Sequence, residues 1–270
     1  MKGLRFVWIA PLLMAGLVAC ESVQTTGGGA LGLDRPQRMM VSADEVEQAS
    51  TQQYNEVIAE AKKQGVLDRD AAQVRRVNNI VNRLVAQVGI FRADAPAWSW
   101  EVHVLTSDDL NAWCMAGGKM AIYSGLIERL QLTDDEIAAV MGHEIAHALR
   151  EHARERVSRS MATSLGVSLA SALLGAGQVG TDLMSQVANV TFELPHSRLH
   201  ETEADQMGVE LAARAGYDPR AALTLWNKMS KASTGAPPQW LSTHPSHATR
   251  QQELSIASEK VMPLYRAARR

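Results

Sequence analysis

Thr133-Asp134-Asp135-Glu136-Ile137-Ala138-Ala139-Val140-Met141-Gly142-His143-Glu144-Ile145-Ala146-His147 opens as a helix start and ends on a chemical pattern. The Thr133 hydroxyl can accept a backbone N–H of the first turn while Glu136 reaches back to the cap, and three acidic residues sit at the positive helix end. Ile137, Val140, Met141, Ile145 and Ala148 supply an apolar side. His143 and His147, four apart, differ by only about 40° in direction on a helix, so both imidazoles can meet one metal ion. Glu144 lies about 60° from His147, in reach of a water on that metal without ligating it. The same five residues also fit a helix with two unrelated histidines and a surface glutamate, so a third ligand has to decide.

Two ligand patterns can be compared. A metzincin would have Gly at Arg150 and His at Ala153, and both positions mismatch. The other pattern takes a glutamate from a later helix. In Glu201-Thr202-Glu203-Ala204-Asp205, Glu201 and Asp205 share a face, four apart, while Glu203 points about 160° away from Glu201 and is expected to have no part in the site. Glu201 is the expected third ligand, and Asp205 the carboxylate that orients a ligating imidazole, with His143 as its partner. Ala204 and Gly208 are small enough to let this helix approach the first. Three protein ligands leave zinc one position for water, with Glu144 as the base.

Outward from these helices the chain reads as helical with a small strand region. Helical periodicity covers residues 42–64 and 68–88, with Val74, Val77, Ile80, Val81, Leu84 and Val88 on one face. Residues 98–106 alternate, placing Trp98, Trp100, Val102 and Val104 opposite Ser99, Glu101 and His103. Residues 111–115 and 119–123 read as a further extended pair joined by Ala116-Gly117-Gly118. The expected class is mainly α with a small, mostly antiparallel sheet. Asn111, Gly117, Gly118 and Lys119 are the expected strand that takes a substrate backbone by strand addition, which suits extended or unfolded polypeptide.

His143 to His147, Ser197-Arg198 with Glu201, Ala204, Asp205 and Gly208, Asn111-Ala112 before Gly117-Gly118-Lys119, and Thr243-His244-Pro245 with Arg250 together resemble the CAAX prenyl endopeptidase family. The resemblance spans about residues 74–250 and is nearest to the family's soluble bacterial envelope members and its mitochondrial quality-control member. It implies a mainly helical gluzincin fold, one Zn2+ per chain, and endopeptidase action on unfolded or misassembled proteins. It also places the His244-Pro245 loop at the cleft, with His244 as an oxyanion donor or, in a resting state, a fourth metal ligand. His152, about 140° from His147, is not expected on the metal, and its role stays open. His196 and His200 read as surface or packing residues, and His247 as a solvated helix-start residue. Two other readings stay open: a protease-fold assembly factor with little cleavage, and a structural zinc site closed by His244.

Lys2 and Arg5, the uncharged residues 6–19, and Leu17-Val18-Ala19-Cys20 read as a secretory leader ending in a lipobox, with ordinary secretion after cleavage at Ala19 as the alternative. Residues 1–19 are then a signal peptide and 20–41 a lipidated Cys20 with a flexible tether. A single domain covers 42–265, and 266–270 form a basic tail. Glu21 after Cys20 favours an outer-membrane anchor facing the periplasm. With Cys20 lipidated, Cys114 is the only remaining thiol and no internal disulfide is expected. Twenty-seven Lys and Arg against twenty-nine Asp and Glu create no field for nucleic acid, which is not an expected partner. Residues 160–181 carry no charge; they read as a packed helix and loop over the cleft, with a membrane-dipping element as the alternative.

Overall fold

The computed structural model describes residues 21–173, 183–232, 239–245 and 249–270. The expected leader, Cys20, residues 174–182, Pro237, Pro238 and His247 lie outside the described residues. In chain order come strands β1 (Glu21–Val23) and β2 (Gln37–Met39), helices α1 (Ala43–Lys63) and α2 (Ala71–Val85), and strands β3 (Glu101–Leu105), β4 (Ala112–Met115) and β5 (Lys119–Tyr123). Helices α3 (Ser124–Arg129), α4 (Asp134–Leu149), α5 (His152–Leu173), α6 (Leu183–Ala188), α7 (Arg198–Arg214), α8 (Ala221–Ala232), α9 (Gln239–Thr243) and α10 (Arg250–Ala268) follow. The chain is mainly helical with small sheets, as its periodicities indicate.

Local chemistry starts the helices. Ser42 and Glu45 form a capping box on α1, Asp70 accepts from Ala72 and Gln73 on α2, and Thr133 with Glu136 forms the expected box on α4. Each such cap stabilises its helix by ~1 kcal/mol. α2 turns Val77, Ile80, Val81 and Leu84 inward. α4 is buried along nearly its whole length, packed by α2, α7, α8 and β4. Its crossing with α7 rests on two glycines: a Cβ on Gly208 would lie 2.8 Å from the His143 backbone nitrogen, and one on Gly142 3.0 Å from the Gly208 oxygen. A methyl at either point forces the two helices apart.

β5 is the central strand of the three-stranded sheet, parallel to β3 and antiparallel to β4. β1 and β2 pair antiparallel. The β4–β5 turn depends on Gly117 and Gly118 at φ 78° and 82°, a region glycine enters freely. β4 lies on the far side of β5 from β3, and its other edge has no strand partner among the described residues.

One expectation is corrected, and two others are given their structural setting. Residues 21–41 are not a flexible tether: β1 and β2 pair, the Ala30 N–H donates to the Glu210 carboxylate, and Arg35 and Gln37 reach Glu155 on α5. Their Gly and Thr content looks like linker locally, but charged groups on α5 and α7 give them partners. The tail from 266 begins as the last turn of α10, and Arg269 donates to the Tyr265 hydroxyl. Of residues 160–181, the part up to Leu173 continues α5. No helix among the described residues is long and apolar enough to cross a membrane.

Candidate metal centre

One turn of α4 separates His143 from His147, and their Nε2 atoms face each other at 3.0 Å. From α7, Glu201 brings Oε1 to 3.4 Å from His147 Nε2 and Oε2 to 3.7 Å from His143 Nε2. His244, directly after α9, joins them: one donor atom each from His143, His147, Glu201 and His244 lies within 4.8 Å of the others, all four residues buried. Glu201 Oε1 and His244 Nε2 have no hydrogen-bond partner there. Unpaired buried polar atoms cost about 1–3 kcal/mol each. A cation at their meeting point would satisfy them, and imidazole nitrogen with carboxylate oxygen is a donor set that suits zinc.

The surroundings hold these donors in place. Asp205 Oδ1 lies 3.0 Å from His143 Nδ1, the partner expected for it. Arg250, from α10, donates to both oxygens of Asp205 at 2.7 and 2.8 Å and to Glu201 Oε2 at 2.5 Å, with its guanidinium over the Trp226 ring. The sequence marked Arg250 only through resemblance; its position ties Glu201 and Asp205 together. Glu144 is fully enclosed, and burial pushes its carboxyl up to about 7 against the pull of His143 and of the Trp240 indole, which donates to Oε1 at 2.7 Å. Burial likewise pulls His244 down to about 3, leaving it neutral. Trp240 was not legible in the sequence, since a lone tryptophan across residues 233–238 carries no periodic signal.

Other expectations divide. His152 stays off the metal-facing side, and its Nδ1 meets His147 Nδ1 at 2.8 Å. Glu203 does point away from Glu201, but it is buried against His152 Nε2 at 3.0 Å and does have a place around the site. His200 is a packing residue, stacked on His152 at 4.3 Å. His196 is half-buried and packs as well: its ring lies 4.1 Å from that of His147 and faces the cleft. The cleft is a cavity of about 150 Å³ running from Glu144, His147 and His244 along Asn111, Cys114 and Gly117. Asn111 and Gly117 therefore face it. Lys119 and Gly118 do not, because β5 is the central strand: Lys119 pairs with Glu101 and Met115, its ammonium donates to the Ser99 carbonyl, and Gly118 is covered by Trp100.

Crossing helices thus bring two histidines and a glutamate together beside a buried carboxylate, at the edge strand of the small sheet. The profile of peptidase family M48 matches residues 71–257. The chain is 33% identical over 217 residues to the mitochondrial metalloendopeptidase OMA1 of Bos taurus, covering 75% of this chain and 40% of that protein. It is 26% identical over 254 residues to metalloprotease LoiP of Escherichia coli, covering 93% and 95%. With the β-barrel assembly-enhancing protease of Yersinia pestis it shares 28% identity over 207 residues, 72% of this chain and 40% of that one. The chain thus spans less than half the length of these mitochondrial and Yersinia relatives. It belongs to peptidase family M48.

Proposed function

We propose that the chain is a zinc-dependent endopeptidase of the bacterial envelope in which His143, His147 and Glu201 hold the metal and Glu144 is the base. The observation that carries this is the convergence of those three side chains, two of their facing atoms lying at 3.0 Å, beside a base held at 2.7 Å by Trp240. Zinc held there supplies Lewis acidity, which brings the pKa of a water from 15.7 to about 7. Glu144 accepts the proton of the attacking water and passes it to the leaving amine. Asp205 keeps the His143 proton on Nδ1, so that Nε2 offers its lone pair. His244, neutral and with its Nδ1 proton on the Trp240 carbonyl, would offer Nε2 as a fourth donor that closes the centre at rest, and would have to take up a proton on Nε2 before it could donate to a developing oxyanion.

The unpaired edge of β4, from Asn111 to Gly117, would take an extended polypeptide by strand addition, which favours unfolded or misassembled proteins over compact ones. Among M48 members, the Thr243-His244-Pro245 and Arg250 pattern supports the CAAX prenyl endopeptidase branch. The name of the β-barrel assembly-enhancing relative supports quality control in the envelope. Leu17-Val18-Ala19-Cys20 supports a lipid on Cys20, and Glu21 an outer-membrane address. The fourth donor His244 gives a second reading some footing: an assembly factor whose centre stays closed.

Zinc content and casein cleavage of wild type and Glu144→Gln separate the two. The protease reading expects zinc in both proteins, with cleavage in wild type and a loss of ~10² to 10⁴ in the variant. Zinc without wild-type cleavage would favour the assembly factor.

A further inference from the structure

His147 presents Nε2 to the centre, which requires its proton on Nδ1. Among the described residues, the partner facing that proton is His152 Nδ1, 2.8 Å away. His152 must then be unprotonated at Nδ1 and carry its own proton on Nε2, which donates to Glu203 Oε2 at 3.0 Å. The state of His147 is therefore set two residues out, by a carboxylate. Glu203 in turn receives Arg35 Nε at 2.7 Å and Nη2 at 2.9 Å, and Arg150 Nη2 at 3.0 Å. Arg35 lies in the segment between β1 and β2, where its other guanidinium contacts go to Glu155 at 2.8 and 2.9 Å. Gln37 ties the same segment to the Arg150 carbonyl and to Glu155.

We propose that residues 21–39 are a working part of the metal centre, with Arg35 positioning the ligand His147 through Glu203 and His152. This rests on the zinc reading above. His143 is backed by its carboxylate directly, His147 by a carboxylate one imidazole removed, and it is the second arrangement that brings in the N-terminal segment. Arg35 is suited to it as no lysine would be, because its planar fork meets two carboxylates at once. Outer partners of a ligating histidine typically govern metal affinity by 10- to 100-fold.

The test is zinc affinity of the full chain by competition with a chromophoric chelator, with thermal melting of the metal-free proteins alongside. Glu203→Gln, which keeps shape and packing, is expected to weaken zinc ~10- to 100-fold, and Arg35→Ala about tenfold. The double variant should be no weaker than Glu203→Gln alone, because Arg35 acts only through that carboxylate. A merely structural strap would lower the metal-free melting temperature and leave this coupling at zero. Wild-type affinity in Glu203→Gln, or losses in the two variants that multiply, overturns the proposal; Glu203→Gln alone decides if Arg35→Ala does not fold. A wild-type chain that takes no zinc would instead overturn the metal reading on which the proposal rests.

Discussion

As the proposed base, Glu144 has to be an anion where burial opposes charge, and His143 together with the Trp240 N–H eases it. Removing that donor should raise the Glu144 pKa further above about 7. The base works only when ionised, so Trp240→Phe, which keeps the ring, should move the acid limb of the kcat/KM profile to higher pH. It should also lower kcat/KM about tenfold, the size of one hydrogen bond to a charged group. An unchanged limb and rate would leave Trp240 a packing residue. At this scale the sequence showed what helix geometry encodes: His143 and His147 four apart, and Asp205 four after Glu201, meet as their spacing indicates. Trp240 and His196 were hidden because nothing local links them to α4.

Among the elements, the α4–α7 crossing sets the distance from His143 to Glu201. Gly208→Ala should destabilise the metal-free protein by ~1–3 kcal/mol, the usual effect of overpacking. It should also weaken zinc, since the new methyl would stand 2.8 Å from the His143 nitrogen. Urea unfolding and chelator competition measure the two effects; a change in neither would mean the helices can part without harm. The sequence pointed to small residues on α7 but not to Gly142 opposite, because a close crossing belongs to two helices and nothing within α4 marks which of its residues meets α7. The antiparallel β4–β5 pair was readable from its turn. The parallel β3–β5 pairing was not, since its register joins strands with another strand between them in sequence.

The whole molecule was least legible at its N-terminal end. Residues 21–39 look like a linker because their partners are 113 to 180 residues away: Arg150, Glu155, Glu203 and Glu210. Folded as they are, they start directly after Cys20. With a lipid on Cys20 they would hold the centre within a short span of a membrane surface. Cys20→Ala should release the protein from membranes on fractionation while leaving zinc affinity unchanged. Wild-type protein found soluble in the periplasm would remove the anchor.

The ligand set is tested most directly by equilibrium dialysis of the full chain against zinc, comparing wild type, Glu144→Gln and Glu201→Ala. If His143, His147 and Glu201 hold the ion, the first two proteins should each fill to about one zinc per chain, and Glu201→Ala should stay largely empty at the same free zinc. A Glu201→Ala chain that fills to the same level at the same concentration would contradict the metal centre described here.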